Sequence, residues 1–129
     1  MPEDLKQFTP RGNNEKINLE PILRAARKAL ARGDGWDIEQ RHYDRLRTDC
    51  EALGVAGNCH SITIALREAF AEIKSDQLRC REDPSYAGLS AGQTLYDCRW
   101  QSNRFSTTMY MKFALNDERI EIFTFHKDH

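Results

Sequence analysis

The amino-acid sequence predicts an α+β fold in which N-terminal helices pack on a small antiparallel C-terminal sheet. Two patterns carry that expectation. Up to residue 73 apolar side chains recur at helical spacing, and after Lys74 they alternate one in two. Helices before strands, rather than interleaved with them, favours α+β over α/β architecture. A chain of 129 residues, 40% hydrophobic and 30% charged, suits one domain with one core.

Residues 1–16 contain Pro2, Pro10, Gly12 and an Asn-Asn pair without periodicity, so a flexible arm is expected before a single domain over 17–129. A first helix is expected over 18–32, with Pro21 in its first turn and Gly33 as its stop. Leu19, Ile22, Leu23, Ala26, Ala29 and Leu30 form its stripe. Asp37 opens a second helix, with Gln40 completing a capping-box pattern and Tyr43, Leu46, Cys50 and Leu53 facing inward. Asn58 caps a third helix, whose stripe is Cys59, Ile62, Leu66, Ala69, Phe70 and Ile73.

Beyond Lys74, residues 78–80 read as a short strand. Residues 82–92, with Pro84, Gly88 and Gly92, read as a loop long enough to serve function. Residues 94–100 form a strand, 101–106 a polar turn, and 108–127 a hairpin turning at Asn116-Asp117-Glu118. Met109, Met111, Phe113 and Leu115 share one hairpin face, and Tyr110 and Lys112 the other. A two-residue turn pairs Ile120 and Ile122 with Phe113 and Leu115, which places Phe123, Phe125 and Lys127 on the face of Tyr110. A three-residue turn would bring His126 there instead.

Several function classes are disfavoured. No apolar run approaches the roughly 20 residues of a membrane span. No signal peptide is visible at the start, so a cytoplasmic location is expected. Cys50, Cys59, Cys80 and Cys98 lack zinc-site or disulfide spacing and read as buried small hydrophobes. Nineteen basic against twenty acidic residues argue against a broad nucleic-acid binder but leave room for a local anion site. Without a Gly-rich phosphate loop, HExxH, GxSxG or paired carboxylates, no metal or cofactor is expected.

Tyr110 and Lys112 either solvate an outer face or line a phosphate-handling surface, with Lys127 or His126 beside them. Arg99 and Arg104 flank a turn, and Tyr96 and Trp100 precede it. Guanidinium groups beside aromatic rings suit RNA, whose bases stack on rings and whose phosphates accept forked donors, although Trp100 reads more readily as core, and Arg99 and Arg104 as surface charges. Asp97 stands alone as the acidic residue of its strand, without an evident partner. A rival constellation sets Cys59, at a helix N-terminus, against His126 with Asp128 nearby, as in papain-like hydrolases. The place of Cys59 in an apolar stripe argues against it.

Three segments, in order, resemble the MqsR family of bacterial toxins, which are mRNA interferases with a RelE-like, barnase-like fold. Ala52-Leu53-Gly54-Val55 running into 58–65 resembles the family's "ELGL" helix start. Glu72-Ile73-Lys74-Ser75 resembles its F-Y-K-S segment. Met109-Tyr110-Met111-Lys112-Phe113 with Thr124-Phe125-His126-Lys127 resembles its terminal "YxKF…SFK" hairpin. The resemblance implies a metal-independent endoribonuclease that cleaves mRNA, needs no cofactor, and is held inactive by a cognate antitoxin protein. It implies catalytic roles for Lys74 and Tyr110, and for Lys127 or, without a gap, His126. Tyr96 stands where the family has a glutamine, and Arg99 near its arginine. Lys74, Arg99 and Lys112 would bind substrate phosphate with Tyr110 orienting it, and Tyr96 and Arg104, taken from their places around the 101–106 turn, complete the expected substrate-binding set. Cleavage by 2′-OH attack needs a proton acceptor and cations on the equatorial oxygens, and histidine serves as acceptor without tuning.

Overall fold

A computed structural model describes residues 18–32, 40–81, 94–116 and 119–128. The expected arm at 1–16, the Asp37 cap and the 82–92 loop lie outside them. Three helices, α1 (Glu20–Arg32), α2 (Gln40–Ala52) and α3 (Cys59–Glu72), precede four strands, β1 (Leu78–Arg81), β2 (Thr94–Ser102), β3 (Thr107–Asn116) and β4 (Arg119–Lys127). The fold is α+β, helices first. The strands form one antiparallel sheet in sequence order, β1-β2-β3-β4. Among the described residues, no helix is long and apolar enough to cross a membrane.

Helix ends follow capping chemistry. Asn18 Oδ1 accepts from the Glu20 N–H (3.0 Å), so the asparagine caps α1 and the helix proper starts at Glu20. Gly54 takes φ +85 beyond α2, where Gly54 N bonds Glu51 O and Val55 N bonds Cys50 O, closing the helix in a Schellman motif. Asn58 caps α3 by accepting from Ser61 N at 2.8 Å. Helices α1 and α3 also cap each other. Arg27 donates to the carbonyls of Phe70 and Ile73 (both 2.8 Å), while Arg67 donates to those of Leu30 (3.0 Å) and Ala31 (3.4 Å). Cations on last-turn carbonyls satisfy orphan acceptors and complement the helix dipole.

The stripes bury as the spacing dictates. Leu23, Ala26 and Leu30 of α1, Leu46 and Cys50 of α2, and Ile62, Leu66 and Phe70 of α3 meet Trp100, Met109, Met111, Phe113, Ile122 and Phe125 of the sheet in one core. Helix α2 lies against β4, where Asp49 Oδ2 accepts from Phe125 N at 3.5 Å and shields that sheet edge. At the far end of α3, Glu72 gathers four donors from the β2–β3 turn: Trp100 Nε1, Ser102 Oγ, and the backbone N–H groups of Asn103 and Arg104, all within 2.9 Å. Trp100 is therefore a core residue with its indole N–H satisfied.

One break in the hairpin register reshapes the sheet. Phe113 faces Ile122 as a two-residue turn requires, but Lys112 faces Thr124, leaving Phe123 as a bulge. Phe123 is buried with Leu95 and Ala114 in a small second cluster on the outer face, the one opposite the main core. The His42 ring meets it edge-on at 4.5 Å, and His42 Nδ1 lies 3.1 Å from Glu121 Oε2. The extra residue reverses the face of everything after it. Phe125 returns to the core, His126 faces outward opposite Tyr110, and Lys127 falls opposite Met109. The expectation that Phe125 and Lys127 share the face of Tyr110 is corrected by this bulge.

Candidate functional site

Alternation along β1, β2, β3 and the end of β4 aligns polar side chains on the outer face in two adjacent rows. The first row is Arg79, Asp97, Lys112 and Thr124, and the second is Arg99, Tyr110 and His126. Two residues along a strand separate the rows by about 6.6 Å.

Asp97 organises the first row. Its side chain is fully buried, and it accepts from Arg79 Nε (3.1 Å) and Nη2 (3.3 Å), Arg81 Nη1 (2.7 Å) and Tyr110 Oη (3.0 Å). Burial alone would raise its pKa, but donation from Arg81, Arg79 and Tyr110 prevails and holds the carboxyl below its ordinary value. The same contacts act inversely on Tyr110. Burial and then the Asp97 carboxylate raise the phenol, so it stays protonated and acts as a donor. An acid first read as solitary is thus the hub of the face.

Tyr110 organises the second row. The Arg99 guanidinium sits 4.5 Å from its ring centroid, and the His126 ring 5.9 Å away, tilted by 39°. Asp128 fixes Arg99 by accepting from Nε at 3.0 Å. His126 Nδ1 lies 2.8 Å from the Lys127 carbonyl oxygen. That oxygen only accepts, so in the neutral ring Nδ1 carries the proton and Nε2 is the basic nitrogen. Among the described residues, four cations and His126 thus meet Asp97 and Asp128, with the Asp49 carboxylate of α2 also close enough to His126 to interact with it, an arrangement in which cations outnumber acids despite the chain's neutrality.

The structure brings together Arg99, Tyr110, Lys112 and His126 of the expected residues and separates the others. Tyr96 is buried on the helix side, stacked on Phe113 at 5.5 Å, so its ring is core and offers no platform for substrate. Arg104 also lies toward the helices, bound to Glu68 of α3 at 2.6 Å and packed over Phe105. Lys127 is exposed at the end of β4 on the face opposite Tyr110. Lys74 is exposed ahead of the 3-10 turn Ser75–Gln77, which touches β2, but makes no contact with the Tyr110 group among the described residues.

Sequence reasoning missed Arg79, Arg81 and Asp97. The Arg-x-Arg alternation within Leu78–Arg81 was the available signal, since it puts both guanidiniums on one face. The cysteines also divide. Cys50 and Cys98 are buried as expected, but Cys59 and Cys80 are exposed. Cys59 turns away from the core it was assigned to, and its neighbour is the Tyr43 hydroxyl. No interaction joins it to His126 among the described residues, which removes the geometric basis of the cysteine-hydrolase reading. No group of three metal-ligating side chains is found among the described residues. Compared with known proteins, the chain matches no family model, no curated protein and no solved structure at a significant level.

Proposed function

We propose that the chain is a metal-independent endoribonuclease cutting single-stranded mRNA in the cytoplasm, as the toxin of a toxin–antitoxin pair. The observation that carries this reading is the second row: His126 directly across from Tyr110, with the Arg99 guanidinium on the same ring. In the reaction His126 Nε2 takes the proton of the ribose 2′-OH and the 2′-oxygen attacks phosphorus. The bond to the 5′-oxygen breaks, and that oxygen takes a proton from solvent. A 2′,3′-cyclic phosphate and a 5′-hydroxyl result. Arg99 and Lys112 balance charge on the equatorial oxygens, and Tyr110 holds Arg99 in place. The ordered resemblance to the MqsR toxins supports the reading, with His126 in the role of the family's terminal lysine. A protein antitoxin would cover this face.

The test is incubation of the purified chain with end-labelled single-stranded RNA in the presence of EDTA. Fragments ending in cyclic phosphate are expected, and His126→Ala should slow their formation by about 100-fold or more. Equal cleavage by that variant would remove His126 from the mechanism. A second reading, a non-catalytic RNA-binding module, is favoured by the separation of Lys127 and Tyr96 from the group. It predicts binding without cleavage.

A further inference from the structure

We infer that Arg79, locked by Asp97, forms a second phosphate subsite one row from Tyr110, so that the ligand is an RNA strand of several nucleotides crossing the sheet. This rests on the reading that the outer face meets RNA.

Arginine has five N–H donors on a rigid plane, with a side edge (Nε and Nη2) and an end edge (Nη1 and Nη2). Asp97 engages the side edge of Arg79, Nε to Oδ1 at 3.1 Å and Nη2 to Oδ2 at 3.3 Å. That fork fixes the plane of the group and leaves the end edge pointing away from the carboxylate. Nη1 has no partner among the described residues, and the Arg79 side chain is 61% exposed. The result is a preset two-donor fork open to solvent, whose rotamer freedom has already been surrendered to a buried acid. Binding an oxyanion there therefore loses little further entropy.

Charge and spacing point to the ligand. Asp97 neutralises one of the two guanidiniums it holds, since Arg81 donates to the same carboxylate at 2.7 Å. One carboxylate shared by two guanidiniums leaves Arg79 only partly neutralised, and its open edge complements a phosphodiester oxyanion. The subsite lies one strand across and two residues along from Arg99, about 8 Å away by strand spacing and rise, and two and three strands across from Tyr110 and His126. Those separations are reached by an extended strand of several nucleotides and not by a single phosphate. A free phosphate would use either row alone. Only a continuous backbone gains from both.

The experiment compares a dinucleotide with a ten-nucleotide RNA, following cleavage and, by fluorescence anisotropy, binding. Variants are Arg79→Gln and Arg79→Lys, each checked for its folded spectrum. Arg79→Gln should weaken the ten-mer about tenfold, the effect of losing one charged fork, and lower the salt dependence of binding by about one phosphate contact. It should leave the dinucleotide unchanged. Arg79→Lys should restore the salt dependence but only part of the affinity. Equal effects on both RNAs, or on neither, overturn the subsite while leaving the nuclease reading intact. A wild-type chain that neither binds nor cuts either RNA overturns the nuclease reading and the subsite together.

Discussion

The Tyr110 hydroxyl donates to Asp97 Oδ2 at 3.0 Å, so the phenol that holds Arg99 is itself held by a carboxylate with no solvent exposure. One buried charge therefore orients both rows of the outer face. Its partners are unequally placed, because Arg79 and Arg81 can recover water if Asp97 is lost, whereas Asp97 cannot.

A double-mutant cycle should expose that asymmetry. Arg79→Gln with Arg81→Gln leaves Asp97 buried with Tyr110 as its remaining donor among the described residues, at an expected cost of about 3 kcal/mol. Adding Asp97→Asn removes the stranded charge and should recover at least about 1 kcal/mol of it. Urea unfolding of the two variants beside the wild type reads this directly. A triple variant less stable than the double would show that Asp97 is not held by those arginines.

Acid should unfold the protein through two carboxylates. For Glu72, as for Asp97, burial alone would raise the pKa, but its donors (Trp100, Ser102 and the Arg104 and Asn103 N–H groups) win and lower it. A folded pKa below the unfolded one contributes stability that is present above about pH 4 and lost as pH falls through the depressed value. Asp49 runs the other way. Burial raises its carboxyl, so its contribution fades as pH rises through that value. Glu72→Gln should therefore lower stability at pH 7 and flatten the decline between about pH 4 and pH 2. A parallel decline in wild type and variant would remove Glu72 as a cause.

Tyr110 combines two roles that separate by substitution. Tyr110→Phe keeps the ring beneath Arg99 and loses only the bond to Asp97. It should cost about 1 kcal/mol of stability and leave RNA cleavage within about threefold. Tyr110→Ala also removes the cation–π contact and frees Arg99, so cleavage should fall by about tenfold or more. If Tyr110→Phe is as slow as Tyr110→Ala, the hydroxyl itself takes part in the reaction.

The helices were legible because their signals are local. Asn58 caps α3 and the Leu23 to Leu30 stripe buries because both depend on spacing within one element. The outer face was legible only as far as one strand reaches. Tyr110 and Lys112 follow from alternation, but the residue facing them depends on Phe123, an apolar residue with nothing in its type to mark a bulge. Continuous register would leave Phe123 on this same face but would turn Phe125 outward beside Tyr110; with the bulge, Phe123 packs against Leu95, Ala114 and His42 while Phe125 returns to the main core. Asp97 was harder still, since its partners come from β1, across a twelve-residue connection that fixes no register in the sequence. Cys59 misled because a residue at the first turn of a helix can follow the apolar spacing and still lie beyond the packed layer.

Thiol labelling should sort the four cysteines into two pairs. Burial pushes the Cys50 and Cys98 thiols up to about 12, and neither is accessible in the core. Both the reactive thiolate and a path to it are thus missing in the folded state. Cys59 and Cys80 are exposed, one at the start of α3 and the other on β1. A maleimide at neutral pH should therefore modify two thiols quickly, identified by peptide mass as Cys59 and Cys80. The other two should react only at the rate of unfolding, and in urea they should follow the same midpoint as the spectroscopic transition. Rapid native labelling of Cys98 would mean that β2 does not lie under the helices. Since Cys98 is flanked by Asp97 and Arg99, that result would dismantle the outer face as well.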